Sequence, residues 1–375
     1  MSDVRIDIYG GIKMSKNYED YKPINPQPPR KRKNKELLFI RYSILFLLIL
    51  ALVISALLFI ATHINEKDNN SKTPIIPSIE TSDYKNTSDT DAKTDENETE
   101  NGKIENNVPV FDTSLYKTIG VGKEQINIGD LIFVSSNYKV VYPNDEELVN
   151  LANVKSNSYM LSINNMRSHK DIVESMNKMF DDFAKKTGNT DIIIWTAYRD
   201  EARQKEVYEE GLKNYGEEAS KYVSKPGESD HNTGLGIAIN VYRNNKKYSL
   251  SEFKEYDWIK DNCYKYGFVE RYPNNKIDIT GLDYSSSFYL RYVGVPHSEY
   301  MKKNDMCLEE YIVKVKEYTL GTSTLKVDTD DGESYEIYYI SGDTDDDVIR
   351  VPVPLDKEYT ISGNNMDGII VTVKQ

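Results

Sequence analysis

The stretch Tyr222-Val-Ser-Lys-Pro-Gly-Glu-Ser-Asp-His-Asn-Thr-Gly-Leu-Gly-Ile-Ala-Ile-Asn240 changes character halfway along its length. Its first part is polar and contains the turn-forming pair Pro226-Gly227, whereas the residues from Leu235 to Tyr242 are mostly apolar. Gly and Pro punctuate loops, and a short apolar run bounded by such residues is typical of a buried strand. The stretch therefore predicts a loop that carries His231 and leads directly into a core strand.

Further elements are predicted on both sides of this stretch. Two short apolar runs indicate strands, from Asp191 to Thr196 and from Tyr289 to Val293. Between Ser168 and Gly188, apolar residues recur at spacings of three and four, which is typical of a helix with one face on a core. The region thus mixes helices with short strands.

Four motifs together resemble one protein family. They are Thr196-Ala-Tyr-Arg199, Ser229-x-His231-x-x-Gly234, Tyr266-Gly-Phe-Val-Glu-Arg-Tyr-Pro273 and Leu290-Arg-Tyr-Val-Gly294. Their residues and their order resemble the VanY-type D-Ala-D-Ala carboxypeptidases, which are M15 metallopeptidases. The resemblance implies an α+β fold over residues 108–311, with a small central antiparallel sheet flanked by helices (the M15/hedgehog-like peptidase fold).

The resemblance also implies a zinc site, but most of the residues that would build it are replaced. The family holds zinc through His, Asp and His, and the first two ligands lie in the pattern Ser-x-His-x-x-Gly-x-Ala-x-Asp. Here Ser229, His231 and Gly234 match, whereas Ala238 stands at the Asp position. Asn240 lies on the same face of the predicted strand as Ala238, but a neutral amide is a weak zinc ligand.

The remaining ligand and the general base depend on how the next segment is counted. Counted back from Leu290, the second His falls at Tyr289 and the catalytic Glu falls at Ser286. Counted forward from Thr280-Gly281, the same two positions fall at Phe288 and Ser285. Neither count supplies an imidazole or a carboxylate.

A catalytic zinc needs three protein ligands and one open position for the attacking water. With His231 as the only surviving ligand, we expect no bound metal, no cofactor and no catalytic residues. The alternative is a relocated zinc site, for which the side chains nearby in sequence are Glu228, Asp230, Asp283 and His297.

Residues that recognise the substrate are better retained. The Tyr198-Arg199 pair and Gln204 match the family, and the resemblance implies that Arg199 helps to hold the peptide substrate. The planar, permanently charged guanidinium suits a carboxylate or carbonyl oxygens, although an arginine that bridges two loops is an equal alternative. We assign Arg199, Gln204, Ser229 and His231 as substrate-binding residues.

The N-terminal part predicts membrane attachment. From Tyr42 to Thr62 the chain carries no charge, and about 20 apolar residues suffice to cross a bilayer. A basic cluster from Arg30 to Lys35 precedes this run, so the N-terminus should remain cytoplasmic and everything after the span extracytoplasmic. We expect a cytoplasmic tail (1–36), a signal anchor in the lipid bilayer (37–63) and a disordered tether (64–107), because the tether is polar and nearly free of aliphatic residues.

The last part of the chain has a different pattern. Residues 312–375 alternate apolar and polar positions between turn signals such as Asp331-Gly332, which predicts a small antiparallel β module. Cys263 and Cys307 both fall in the extracytoplasmic region and form either one disulfide or two buried thiols.

These features favour a membrane-anchored, catalytically inactive VanY-like protein that binds peptidoglycan stem peptides or acts as a scaffold for other cell-wall proteins. An active D,D-carboxypeptidase with a rearranged zinc site is the alternative, and a sensor that signals through the cytoplasmic tail is a third. The net charge of −13, with the basic cluster confined to the membrane flank, excludes nucleic acid as a partner.

Overall fold

A computed structural model describes residues 113–285 and 287–375. The predicted tail, anchor and tether, which include Tyr42 to Thr62, lie outside the described residues, and so does Ser286. Among residues 113–285 and 287–375, no helix combines the length and the apolar character that crossing a membrane requires. All described residues belong to one compact unit.

The described residues form an α+β fold, as predicted. The helices are α1 (Leu151–Val154), α2 (Val173–Thr187), α3 (Glu201–Tyr215), α4 (Asp257–Asn262), α5 (Ile277–Thr280), α6 (His297–Lys303) and α7 (Leu308–Val315). The strands are β1 (Tyr116–Gly122), β2 (Leu148–Asn150), β3 (Met160–Leu161), β4 (Arg167–His169), β5 (Ile192–Thr196), β6 (Gly236–Arg243), β7 (Lys246–Tyr248), β8 (Phe268–Glu270), β9 (Phe288–Tyr292), β10 (Leu325–Asp328), β11 (Ser334–Ser341), β12 (Val348–Pro354), β13 (Tyr359–Gly363) and β14 (Gly368–Lys374).

The central sheet has the order β3-β5-β6-β9-β8, and β7 pairs with the far end of β6. The prediction of a wholly antiparallel sheet is wrong at one edge, because β3 runs parallel to β5. A parallel pair needs a long crossover, and the connection that contains α2 supplies it. The other pairs are antiparallel, so the ends of β5, β6 and β9 bring their loops to one region.

Helix α2 confirms the periodicity argument. Met176, Met179, Phe180 and Phe183 all face the core of the central sheet and are fully buried. The helix ends at Gly188, whose φ of 76° is the left-handed conformation that glycine adopts without strain. The buried side chains pack α2 against the central sheet.

The C-terminal strands form the predicted antiparallel β structure with the order β10-β11-β14-β13. The N-terminal strand β1 pairs with β12 in a separate two-stranded sheet, so residues from both ends of the described chain contribute to this region. The predicted boundary between residues 311 and 312 lies inside α7, whose Tyr311 and Ile312 pack in a shared core with β10 and β11. Cys263 and Cys307 are free, buried thiols.

His297, the first residue of α6, is buried between three elements. Its Nδ1 lies 2.5 Å from the Tyr311 hydroxyl on α7, and its Nε2 lies 3.0 Å from Thr372 Oγ1 on β14. Burial lowers the pKa of His297 from 6.5 to about 3. The imidazole is therefore neutral near pH 7, and it connects the two helices to the C-terminal sheet.

We expect His297 to make the folded protein less stable in mild acid. A histidine with a lowered pKa binds fewer protons in the folded state than in the unfolded chain, so the free energy of unfolding falls as the pH drops below 6.5. One such group costs about 1.4 kcal/mol per pH unit until its folded-state pKa is reached. When the pH is lowered from about 7.5 to about 5, the free energy of unfolding, measured with urea, should fall by about 2 kcal/mol less in His297→Gln than in the wild type. An equal loss in both proteins contradicts the prediction.

Candidate functional site

The loop before β6 is folded tightly around His231. Residues Asp230–Thr233 form one 3-10 turn, and the Ser229 hydroxyl accepts a hydrogen bond from the His231 backbone N–H at 3.3 Å. The Asn232 side chain accepts from the Gly227 N–H at 3.1 Å and donates to the Arg199 carbonyl at 2.7 Å. Ser229 thus orients the loop, and its substrate-binding role stays a prediction.

Both ring nitrogens of His231 are engaged. Nδ1 lies 2.6 Å from the Ala197 carbonyl, and Nε2 lies 3.0 Å from the Tyr284 hydroxyl. A carbonyl can only accept, so Nδ1 carries the proton and Nε2 accepts from Tyr284. Burial, followed by the charge of Arg199, lowers the pKa of His231 well below 6.5. His231 is therefore a neutral imidazole without a free lone pair, and it is only 1% exposed.

Three tyrosines, Tyr272, Tyr284 and Tyr289, surround His231 and are called the tyrosine cluster below. The Tyr289 ring meets the His231 ring edge-on with centroids 4.6 Å apart. Tyr284 stacks on Tyr272 at 5.5 Å, and both rings contact Tyr289. Tyr289 and Tyr272 are 2% and 8% exposed, so the space beside His231 is filled by packed rings.

One member of the cluster, Tyr289, stands at a position where the resemblance, in one of the two counts, implies a metal ligand. Ala238 on β6 pairs directly with Tyr289 on β9, so both side chains lie on one face of the sheet next to the His231 loop. Tyr289 therefore shares a sheet face with Ala238, whereas Phe288 pairs with Ile239; which of the two stands at the second His position stays a prediction. The degenerate position Ser286 lies outside the described residues.

Gly236 makes room for the Tyr289 ring. A Cβ added at Gly236 would lie 2.1 Å from the Tyr289 hydroxyl oxygen, which no packed structure tolerates. Gly236 stands at the Ala position of the family pattern, two residues before Ala238. The pattern and the structure together indicate that a smaller residue at 236 and a larger residue at 289 compensate each other in volume.

The residues present do not fit a zinc ion. No group of three His, Cys, Asp or Glu side chains with ligand geometry occurs among residues 113–285 and 287–375. Asn240 is buried and donates to the Tyr248 carbonyl at 3.2 Å while it accepts from the Ser287 hydroxyl at 2.9 Å. His297 is held by Tyr311 and Thr372, so it does not rebuild the site.

Asp230, next to His231, is the centre of a buried charge network. Arg271 Nε lies 2.6 Å from Asp230 Oδ2, and Arg291 Nε lies 3.3 Å from Asp230 Oδ1 without hydrogen-bond geometry. The Tyr272 hydroxyl donates to Asp230 Oδ2 at 3.1 Å. Arg271 also reaches Glu309 on α7 at 2.8 Å. Two carboxylates thus balance two guanidinium groups, and Asp230 is not free to act as a general base.

The side chain of Arg199 has partners of a different kind from those of Arg271 and Arg291. Its Nε donates to Thr196 Oγ1 at 3.2 Å and its Nη1 donates to Gln204 Oε1 at 3.3 Å, and it is only half-buried. No carboxylate of the described residues lies within ion-pair distance of it. Its backbone, not its guanidinium, connects the two loops, because the Arg199 N–H donates to the His231 carbonyl at 3.0 Å.

The Gln204 side chain is buried and hydrogen-bonds to Arg199. Its Oε1 accepts from Arg199, and its Nε2 donates to the Ser224 carbonyl at 2.7 Å. The structure therefore makes Gln204 a positioning residue for Arg199. Direct contact of Gln204 with a substrate stays a prediction.

Several site residues were not found from the sequence. Tyr284 lies in a segment without periodicity, and the only signal was the uncertain count between Thr280 and Leu290. Gly236 could have been found, because it departs from the family pattern. No spacing or motif in the sequence predicted that Asp230 pairs with Arg271 and Arg291.

We expect loss of the Asp230 charge to be strongly destabilising. Asp230→Asn removes the carboxylate that lies between two buried guanidinium groups, and breaking a buried pair in this way costs about 3–5 kcal/mol. The matched control is Asp145→Asn, because Asp145 pairs with Arg167 at 2.9 Å on the surface and should cost at most about 1 kcal/mol. Urea unfolding measures both variants, and similar losses in the two contradict the prediction.

Comparisons with known proteins identify the family to which this fold belongs. A family model described as "VanY: D-alanyl-D-alanine carboxypeptidase" matches residues 165–295. A D-alanyl-D-alanine carboxypeptidase from Enterococcus faecium is 36% identical over 256 residues, which are 68% of this chain and 78% of that protein. The putative carboxypeptidase YodJ of Bacillus subtilis (strain 168) is 39% identical over 150 residues, which are 39% of this chain and 54% of that protein.

A solved structure extends the similarity to the described fold. The crystal structure of the vancomycin resistance D,D-dipeptidase VanXYg, in complex with a D-Ala-D-Ala phosphinate analog, has a TM-score of 0.61 and 30% sequence identity. The match covers 69% of this chain and 99% of that chain, so it includes regions outside the family model. Together with the 36% identity to the Enterococcus faecium carboxypeptidase, this match shows that the chain belongs to the VanY-type D-Ala-D-Ala carboxypeptidases of the M15 family.

Proposed function

We propose that this protein is a catalytically inactive member of its family that binds the D-Ala-D-Ala end of peptidoglycan stem peptides outside the membrane. The observation that carries the proposal is the state of His231. Its two nitrogens are occupied by Ala197 and Tyr284, and Ala238 and Tyr289 stand where metal ligands are needed. The segment from Tyr42 to Thr62 would anchor the protein in the membrane and present the domain to the cell wall.

Hydrolysis of a peptide by this family requires an activated water. The water attacks the carbonyl after a metal has lowered its pKa or a base has taken its proton. Among the described residues near His231, Asp230 is the carboxylate, and two arginines neutralise it. Among residues 113–285 and 287–375 we therefore identify no group placed to activate water, and we expect no release of D-Ala.

Recognition of the peptide depends on Arg199. Its guanidinium is fixed by Thr196 and Gln204 and has no carboxylate partner among the described residues. A permanently charged, half-buried group without a counterion is suited to a peptide carboxylate. VanXYg was crystallised with a D-Ala-D-Ala phosphinate analog, which supports a D-Ala-D-Ala end as the ligand of this fold.

We expect the protein to bind a pentapeptide that ends in D-Ala-D-Ala without cleaving it. The experiment uses the full-length protein in detergent micelles and measures D-Ala release, with added zinc and with a chelator, beside calorimetric binding of the same peptide. Arg199→Ala should weaken binding about tenfold or more, because a charge-assisted hydrogen bond contributes about 1.5–3 kcal/mol. Arg350→Ala is the matched control, because Arg350 and its ion-pair partner Asp346 are both exposed, and this variant should bind like the wild type.

Each other outcome selects a different function. Release of D-Ala that the chelator abolishes means that a relocated metal site exists and that the protein is an active D,D-carboxypeptidase. If the protein neither releases D-Ala nor binds the peptide, the result favours a scaffold for other cell-wall proteins. Binding that is equally strong in Arg199→Ala and the wild type removes Arg199 from the site.

A further inference from the structure

We infer that Tyr284 is a resident plug, an autoinhibitory side chain that occupies the place beside His231 which the peptide must take. The inference rests on the proposed function, because it concerns how the same cleft is opened to the peptide. It starts from the hydrogen bond between the Tyr284 hydroxyl and His231 Nε2, 3.0 Å long.

Tyr284 holds its place through side-chain contacts on three sides. Its hydroxyl donates to His231, its ring stacks on Tyr272 with an interplanar angle of 28°, and it meets Tyr289 at 84° with centroids 5.0 Å apart. These contacts satisfy the buried Nε2 and fill the volume next to it. A ligand that reaches His231 must therefore displace this ring or remain outside it.

Tyr284 is also the member of the tyrosine cluster that can leave. Tyr289 lies on β9 and Tyr272 is anchored by its hydrogen bond to Asp230, and both are buried. Tyr284 is half-buried and lies between α5 and β9, outside any strand. Rotation of its side chain breaks no ladder hydrogen bond of the sheet and leaves the Asp230 network intact.

The chemistry of the bond defines what replaces the plug. Since Nδ1 donates to the Ala197 carbonyl, Nε2 is an acceptor and needs a donor such as a peptide N–H in place of the phenol. Arg199 is close enough to His231 for its charge to influence the ring. A peptide that ends in a carboxylate supplies both groups, with the terminal carboxylate on Arg199 and a backbone N–H on His231.

The plug reduces the apparent affinity for the peptide. If the binding-competent state is the one without Tyr284 in place, the observed affinity falls by the fraction of molecules that are open. Removing the ring removes this competition and leaves Arg199, Gln204 and His231 unchanged. Loss of Tyr284 should therefore strengthen binding, whereas loss of a true contact residue weakens it.

The test compares peptide affinities of full-length variants by calorimetry, with the pentapeptide that ends in D-Ala-D-Ala as the probe. We expect Tyr284→Ala to bind about tenfold more tightly or better than the wild type. Tyr284→Phe keeps the ring and loses only the hydroxyl, so its affinity should rise by a few-fold at most, about the effect of one neutral hydrogen bond. Tyr264→Ala is the matched control, since Tyr264 also makes one hydroxyl contact, to Asp330 at 2.8 Å, and should not change the affinity.

The outcomes separate the plug from the proposed function. Unchanged or weaker binding by Tyr284→Ala, with binding still lost in Arg199→Ala, overturns the plug and leaves the peptide-binding function standing. No binding by the wild type, Tyr284→Ala or Tyr284→Phe overturns the proposed function and the plug with it. Binding by the wild type that becomes about tenfold tighter or better in Tyr284→Ala supports both. If Tyr284→Ala does not fold, Tyr284→Leu takes its place and carries the same expectations.

Discussion

The buried carboxylate of Asp230 is the constraint on which the site depends. It is fully shielded from water and lies between the guanidinium groups of Arg271 and Arg291. A charge in such a place is tolerated only when partners compensate it. Asp230 belongs to the His231 loop, Arg271 follows β8 and Arg291 belongs to β9, so this one requirement fixes the loop relative to the sheet. Glu309 balances the second guanidinium and extends the same network to α7.

With the loop fixed in this way, His231 must face the end of β6 and β9. A metal centre at that point would gather charged ligands around the imidazole, whereas here the positions carry Ala238 and the Tyr289 ring. The residues around the imidazole form an aromatic cluster, and Gly236 provides the room that the Tyr289 ring needs. Since protein interiors are close-packed, such a change is stable only when neighbouring volumes compensate each other. The identity of residue 236 is therefore part of the same replacement as that of residue 289.

The sequence predicted the parts that depend on local pattern. The apolar runs gave β5, β6 and β9 close to their observed limits, and the spacing of Met176, Met179 and Phe183 gave α2. The count back from Leu290 predicts Tyr289 at the second His position, and Tyr289 lies on β9 opposite Ala238. Features set by distant segments were missed. The pairing of β1 with β12 joins residues more than two hundred positions apart, and the contact of Tyr284 with His231 spans 53 positions without any periodicity.

Binding and catalysis make different demands on such a site. A peptidase must stabilise the charge that develops on the attacked carbonyl, and that requires donors or a cation that the ground state leaves free. Both His231 ring nitrogens already have partners, Ala197 and Tyr284, and Asp230 is held by Arg271, although the buried Tyr289 hydroxyl beside them makes no hydrogen bond. Among the described residues, Arg199 is the charged group of this region that only neutral side chains, Thr196 and Gln204, hold. One fixed cation beside a neutral imidazole meets the demands of ground-state recognition, and on that ground we propose peptide binding without hydrolysis.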